Sequence, residues 1–281
     1  MRNKIGLFIS LLLATFGFSR VALADKTNEA EFCSKGIEQM IEKKIGDYRI
    51  IISYANDRMC QRFDLLKREQ IVFHEEGIDN HYFLGGDDSN KHFLRKLTGH
   101  STQLVVKRWT GGAHCCTSLL IFDLGREFRK IAEIYGGNFD PKIIYLDHDG
   151  ISEIRIMDDF LAYRFSSFAY SATADVVLRY TNGHYSVAPE FMKKPVPSQR
   201  ALDAKIPLWE KLLRKKNASD WPAPPLIQTL TDLIYTGNKK VAFDLLDRAW
   251  PADVAGKADF LKSYQEALNE SKYYAEFERK L

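Results

Sequence analysis

The stretch QLVVKRWTGGAHCCTSLLIFDLGREFRKIAEI, residues 103–134, decides the fold class of this chain. Three runs rich in β-branched and aromatic residues are separated only by short segments that contain glycine, which is typical of strands joined by tight turns. We predict strands at residues 103–109, 116–124 and 128–134. No helical pattern lies between them, so the sequence favours an antiparallel meander over a parallel sheet with crossover helices.

The same strand pattern extends to both sides of this stretch. Further short strands are predicted at residues 48–55, 60–66, 69–74, 81–84, 143–146, 153–157, 174–180 and 185–188. Ahead of them, apolar residues recur at helical spacing. This spacing predicts an N-terminal helix over residues 28–45.

The composition changes at Pro195-Val196-Pro197. Beyond these prolines Ala, Leu, Lys and Glu dominate, and apolar residues keep a helical period. We predict a helix from an N-cap at Ser198 to about residue 216, and further helices at 226–236, 239–250 and 258–280. The expected fold class is α+β, with a β-rich domain over residues 25–195 and an α-helical bundle over residues 196–281.

The first 24 residues have the pattern of an export signal. Arg2 and Lys4 precede an apolar run, and Ala22-Leu23-Ala24 supplies the small residues that signal peptidase requires. We expect residues 1–24 to be a signal peptide cleaved after Ala24, which predicts a periplasmic or secreted protein. The apolar run is shorter than the roughly 20 residues of a membrane span. We therefore expect no transmembrane segment in the mature chain.

Charge gives no indication of a nucleic-acid partner. The full chain has 40 Lys and Arg residues against 37 Asp and Glu residues. Three of the basic residues, Arg2, Lys4 and Arg20, lie in the predicted leader, so the mature chain is formally neutral. A neutral chain lacks the positive field that attracts nucleic acid or anionic lipid.

Two segments of the predicted meander share one layout. TGHSTQLVV, residues 98–106, and DGISEIRI, residues 149–156, each place a glycine turn and a polar residue before an apolar strand. This layout resembles a degenerate FG-GAP or VCBS-type repeat, the blade unit of integrin-like β-propellers, and DHDGISE (147–153) is its clearest copy. Residues 108–124 also resemble a Gly-Gly-Ala-His-Cys-Cys segment of exported bacterial proteins. Over residues 92–188 the resemblance implies propeller-blade-like repeats.

In that family the turn often binds calcium. Calcium takes six to eight oxygen ligands, and the resemblance implies Asp147, Asp149 and Glu153 as candidates. The expected first ligand position holds Tyr145, which leaves the set one carboxylate short. The alternative is that the aspartates cap a tight turn by accepting hydrogen bonds from backbone amides. The sequence favours this capping role.

All four cysteines lie in the β-rich part, in a compartment where thiols tend to oxidise. We favour a disulfide between Cys33 and Cys60, which leaves Cys115 and Cys116 either as a vicinal disulfide or as thiols; crossed pairings stay open. His114 beside these two cysteines suggests a soft-metal or redox site as an alternative. No Cys-x-x-Cys or similar companion motif supports that alternative.

The helical part contains one further resemblance. The positions of Gly237, Ala242 and Ala249 resemble the small-residue spacing of a tetratricopeptide helical hairpin, in which small side chains allow close helix contact. Only one partial copy is present, and Pro251 is out of register with the proline that usually ends the repeat. The sequence therefore predicts a small helical bundle.

No complete catalytic motif is present. The sequence lacks a Gly-x-Ser-x-Gly elbow, a phosphate-binding loop and a His-Glu-x-x-His helix. No catalytic residue and no cofactor other than calcium is therefore assigned. We expect an exported, non-enzymatic protein that binds a protein or glycan of the cell envelope. The alternative is a cell-envelope hydrolase or metalloenzyme with a site between the two domains, for which Asp158 and Asp159 are candidate carboxylates.

Overall fold

The computed structural model describes residues 37–55, 60–86, 92–112, 115–215 and 222–281. Within these ranges the predicted α+β class is confirmed, because three antiparallel sheets are followed by a helical region. The predicted signal peptide, residues 1–24, lies outside the described ranges. No described helix combines the length and the apolar character that crossing a membrane requires.

The first sheet consists of four consecutive strands in the order β1-β2-β3-β4. These strands are β1 (Ile37–Ile45), β2 (Tyr48–Ala55), β3 (Cys60–Lys67) and β4 (Gln70–Ile78). The predicted helix over residues 28–45 is therefore wrong from Ile37 onward, and residues 28–36 lie outside the described part. β1 pairs with β2 up to Ile45 opposite Tyr48. Gly46, at φ +55°, makes the tight turn that brings these two strands together.

The second sheet has the order β5-β7-β8-β9, and β6 pairs with β7. Its strands are β5 (His81–Leu84), β6 (Leu94–Arg95), β7 (Gln103–Trp109), β8 (Thr117–Asp123) and β9 (Arg129–Gly137). The three strands predicted within residues 103–134 are thus confirmed apart from their ends. The short β6 is the one strand of this sheet that the sequence did not predict.

The third sheet has the order β10-β11-β12-β13. Its strands are β10 (Lys142–Ile144), β11 (Glu153–Asp158), β12 (Ala174–Thr181) and β13 (His184–Val187). β7 and β11, which carry the two similar segments, each hold the second position in a four-stranded path. An antiparallel bridge between Thr98 and Ile151 joins the turns that precede them. The repeated layout of the sequence therefore corresponds to a repeated position in the sheets.

The second sheet is buried on both faces. Leu120 and Phe122 of β8 pack with Phe63 of the first sheet, whereas Leu119 and Ile121 belong to the core formed with the third sheet and the helices. All four β8 side chains are fully buried. Because neighbouring residues of a strand point to opposite faces, a strand with two buried faces needs an unbroken apolar run. β8 has such a run.

The core continues across the change in composition at residue 195. Ile156 and Val176 of the third sheet share one apolar cluster with Leu230, Leu246 and Tyr264 of the helical region. The helices therefore cover the third sheet and bury its apolar residues. The boundary between domains 25–195 and 196–281 stays a prediction.

The helical region contains more breaks than the sequence predicted. Its helices are α1 (Gln199–Asp203), α2 (Ile206–Leu213), α3 (Pro224–Tyr235), α4 (Lys239–Ala249), α5 (Lys257–Glu270) and α6 (Tyr274–Arg279). Ser198 caps α1 as expected, because its Oγ accepts a hydrogen bond of 3.3 Å from the Ala201 amide. α3 and α4 form a hairpin, and the small side chains of Ala242 and Ala249 are fully buried.

Candidate functional site

The acidic turn lies between β10 and β11. Asp147 and Asp149 are exposed on the turn, and Glu153, the first residue of β11, is fully buried. One carboxylate oxygen from each of the three residues lies within 4.8 Å of the others. The structure therefore brings together the three residues that the sequence singled out as candidate calcium ligands.

Backbone amides occupy one oxygen of each carboxylate in the acidic turn. The Asp149 amide donates to Asp147 Oδ1 at 3.3 Å, and the Ile151 amide donates to Asp149 Oδ1 at 2.8 Å. The Leu146 amide donates to Glu153 Oε2 at 2.9 Å. Gly150, at φ +90°, provides the left-handed backbone that the turn requires. The geometry matches the predicted capping role of the aspartates.

Arg179 of β12 supplies a positive charge to the acidic turn. Its Nη1 donates to Asp147 Oδ2 at 2.7 Å, and its Nη2 donates to Asp149 Oδ2. Ile154 of β11 pairs with Leu178 of β12, so the strand register places Glu153 beside Arg179. The guanidinium group also lies over the Phe191 ring, 5.4 Å from its centroid. The pairing of β11 with β12 therefore places the positively charged Arg179 side chain beside three carboxylates.

The electrostatics of the turn reflect this pairing. Partial desolvation opposes ionisation of Asp147, but the Asp149 amide and the Arg179 guanidinium lower the pKa of Asp147 below its ordinary value. For Arg179, partial desolvation is again opposed by the two aspartates, which raise its pKa. Asp147 and Arg179 are therefore ionised together over the whole physiological pH range.

The donor set does not fit a calcium ion while Arg179 holds its position. Both Oδ2 atoms contact the guanidinium group, and the other oxygens accept amide hydrogen bonds. Within the described residues, Glu153 Oε1 is the remaining oxygen, buried and without a hydrogen-bond partner. A calcium ion requires six to eight oxygens. Binding at this turn would require displacement of the arginine.

The cysteines form a second cluster, at the end of the second sheet. Cys115 and Cys116 are joined by a disulfide, one of the two outcomes left open by the sequence. The Trp109 Nε1 atom donates to the Cys115 carbonyl oxygen at 3.1 Å, and the Tyr135 hydroxyl donates to Cys116 Sγ at 3.2 Å. With both sulfurs bonded to each other, neither is a thiolate ligand for a soft metal. His114 lies outside the described residues.

The other half of the predicted cysteine framework is described only in part. Cys60 is fully buried at the start of β3 and is disulfide-bonded. Cys33, the partner that we predict for it, lies outside the described residues. The pairing of Cys33 with Cys60 stays a prediction.

The two carboxylates proposed for an enzyme lie in a small cleft between the sheets and the α5–α6 corner. The cleft has a volume of about 140 Å³. Asp158 is buried, and its Oδ2 accepts hydrogen bonds from the Tyr235 hydroxyl at 2.8 Å and from Ser271. Burial, together with the nearby Asp159, raises the pKa of Asp158 despite these donors. Asp159 accepts a hydrogen bond from the Asn138 amide at 3.1 Å.

This cleft does not assemble a catalytic set. The Asp158 carboxylate is used to join β11 to α3 and the α5–α6 corner, and the Asp159 carboxylate holds the end of β9. Asp147 belongs to the separate acidic turn. Among the described residues that line the cleft, Ser271 is the hydroxyl that pairs with Asp158, and its oxygen also accepts hydrogen bonds from the Tyr273 and Tyr274 amides, so it caps the start of α6.

Comparisons with known proteins do not identify the chain. No protein-family model, curated protein or solved structure matches the chain.

A groove on the helical region was not predicted from the sequence. It has a volume of about 540 Å³ and is lined mainly by apolar side chains, among them Tyr170, Leu212, Pro224 and Pro225. Tyr170 ends a short 3-10 turn, and 63 % of its surface is exposed. Leu212, on α2, and the prolines that begin α3 form the remaining apolar wall. In the sequence, Tyr170 and the Pro224-Pro225 pair are the signals that could have indicated this groove.

Gln228, the amide side chain that lines this groove, is already engaged. Gln228 Nε2 donates to the Thr173 carbonyl oxygen at 2.9 Å, and its Oε1 accepts from the Thr173 amide at 3.1 Å. Gln228 Nε2 also donates to Asp232 at 2.7 Å. Gln228 therefore holds the wall of the groove and has little hydrogen-bonding capacity left for a ligand.

Proposed function

We propose that this chain is a non-enzymatic binding protein of the cell envelope or the extracellular space, and that it holds a partner protein in the groove between α2 and α3. The observation that carries the proposal is the exposed Tyr170 ring above an apolar groove. Exposed apolar grooves commonly mark sites of protein interaction. The export pattern of residues 1–24 supports the compartment.

A protein partner fits the groove better than a glycan. Recognition of sugar hydroxyls needs side chains with unused donors and acceptors, whereas Gln228 bonds the Thr173 backbone and Asp232. Tyr170, Leu212 and the two prolines instead offer surface for aliphatic or aromatic side chains. Tyrosine is also among the residues enriched at the energetic centres of protein interfaces.

The four-stranded sheets support a finer proposal about family. Three antiparallel four-stranded paths follow one another, and β7 and β11 hold equivalent positions, as expected for degenerate FG-GAP or VCBS-type blades. We include that relationship in the proposal, with the sheets as the rigid frame that carries the helical groove. A propeller-like frame does not by itself specify a function.

The test compares a photo-crosslinking phenylalanine derivative at position 170 with the same derivative at position 71. Ile71 is 62 % exposed, close to the 63 % of Tyr170, and lies on β4 of the first sheet, outside the groove. We expect position 170 alone to crosslink a specific envelope protein. Re-formation of that complex from purified components should be weakened about tenfold or more by Tyr170→Ala.

Three results would count against the proposal. Equal crosslinking at both positions would show that the groove has no special role. A Tyr170→Ala variant that binds the purified partner as tightly as wild type would exclude Tyr170 as an anchor. Binding of purified envelope glycans that is lost in Tyr170→Ala, without any protein complex, would favour a glycan as the ligand.

A further inference from the structure

We propose that Arg179 is the resident cation of the acidic turn and that it makes this turn independent of calcium. The family resemblance implies a metal at this position, and the side chains disagree with that implication. The inference concerns how the third sheet is held together and does not depend on the proposed binding function.

The first argument is the geometry of the guanidinium group. Its two terminal nitrogens each donate to a different aspartate, Asp147 and Asp149. Charge-assisted hydrogen bonds of this kind are stronger than neutral ones. The Phe191 ring below the guanidinium group adds a cation–π contact. A calcium ion would have to break all of these contacts to enter the turn.

The second argument is charge. Asp147, Asp149 and Glu153 place three negative charges within a few ångströms, and Glu153 is fully buried. A buried carboxylate is strongly disfavoured without a compensating charge. Arg179 supplies that charge from the adjacent position of β12. Glu153 Oε1 has no hydrogen-bond partner, so Arg179 compensates the Glu153 charge through space, and its direct ion pairs are with the two aspartates.

The inference predicts that removing the arginine creates a metal site. Arg179→Gln would remove the guanidinium group from beside three carboxylates, one oxygen of each of which lies within 4.8 Å of the others. Calcium sites of extracellular modules, tuned by ligand charge and rigidity, bind in the range of about 10⁻⁴–10⁻³ M. The variant should acquire calcium affinity in that range, and the wild-type protein should not.

The experiment uses the purified mature chain and two readouts. Terbium, a luminescent calcium substitute, is titrated against wild type and Arg179→Gln, with Tyr145 of the turn as the sensitising ring. Thermal unfolding is then measured with 10 mM calcium or 10 mM magnesium. Arg155→Gln is the matched control, because Arg155 is an exposed arginine of the same sheet without an ion pair among the described residues.

We expect calcium-competed terbium luminescence in Arg179→Gln alone, with a calcium-specific rise in Tm of about 3 °C or more. If Arg179→Gln folds only when calcium is added, the inference is also supported. Should the variant not fold under either condition, Arg179→Lys takes its place, since lysine can hold one aspartate but not both; it should bind more terbium than wild type.

Two outcomes overturn the inference. Calcium-competed terbium binding by the wild-type protein, as strong as that of the variant, would mean that the arginine yields to the metal. A folded Arg179→Gln or Arg179→Lys protein without any metal response would mean that the guanidinium group does not occupy a cation site.

Discussion

Burial of the second sheet on both faces leads to a quantitative prediction for two neighbouring residues of β8. Phe122 is fully buried against the first sheet, with ring centroids of Phe63, Phe73 and Phe128 at 5.8, 4.8 and 5.9 Å. Truncation of a buried phenylalanine to alanine costs about 3–5 kcal/mol. For a chain of this size, we expect Phe122→Ala to lower Tm by about 6–20 °C.

The adjacent Ile121 provides the test of the other face. It is fully buried in the core formed with the third sheet and the helices, so Ile121→Ala should cost about 2–5 kcal/mol. In a strand with one solvent-facing side, only one of these two neighbours would be costly. Ile71 of β4 is 62 % exposed, and the control Ile71→Ala should change stability by less than about 0.5 kcal/mol.

The assay is urea unfolding of the purified protein, followed by tryptophan fluorescence. An unchanged m-value ensures that the free energies of unfolding are comparable between variants. A cost below about 1 kcal/mol for either Phe122→Ala or Ile121→Ala would contradict burial of the corresponding face. The stacked arrangement of the three sheets would then be wrong.

Further predictions concern the buried carboxylate, a helix cap and the cysteines. Because the pKa of Asp158 is raised in the folded state, wild-type stability should fall as pH rises through that pKa. In thermal unfolding from pH 4 to 8, the Tm of Asp158→Asn relative to that of wild type should therefore increase with pH. Parallel Tm profiles of the two proteins would exclude the effect. At pH 7, Tyr235→Phe should lose about 1–3 kcal/mol in urea unfolding by removing a donor to that buried carboxylate, and no loss would contradict the hydrogen bond. Ser198→Ala should lose about 0.5–2 kcal/mol in the same assay, and a larger loss would point to a role beyond capping. A thiol reagent should label no cysteine in the unfolded, unreduced protein, whereas labelled Cys115 and Cys116 would contradict their disulfide.

Local patterns predicted most of the strands because the relevant signals lie close together in the sequence. β7, β8 and β9 combine β-branched runs with turns of few residues, so each hairpin is specified within about 20 residues. The double burial of β8 is also encoded locally, in the unbroken apolar run from Leu119 to Phe122. The fold class could therefore be predicted from the sequence alone.

The N-terminal helix failed because its apolar spacing is compatible with two structures. Met40, Ile41 and Ile45 fit a helical stripe, but Gly46-Asp47 also allows a hairpin with the apolar strand that follows. β1 pairs with β2 along its length, with one irregularity between Ile37 and Gln39, and such tertiary pairing overrides a weak helical preference. The competing turn was visible in the sequence, but its outcome depends on the neighbouring strand.

The candidate site was predictable only in part. Asp147, Asp149 and Glu153 follow one another and were found together, whereas Arg179 is 30 residues beyond Asp149. Only the register between β11 and β12 places the arginine against the aspartates. The groove likewise combines Tyr170 with Leu212 and the start of α3, which no local pattern connects. A site whose residues come from several secondary-structure elements can be identified only when the tertiary structure is known.

The shared core of the third sheet and the helices also constrains the order in which the chain can fold. The first two sheets can bury their common face as soon as β9 has been made. Ile156 and Val176 must wait for partners such as Leu246 and Tyr264, which are made roughly 70 to 110 residues later. During synthesis the third sheet therefore exposes apolar surface until the helices have been made. Truncation before α5 should yield a chain that aggregates.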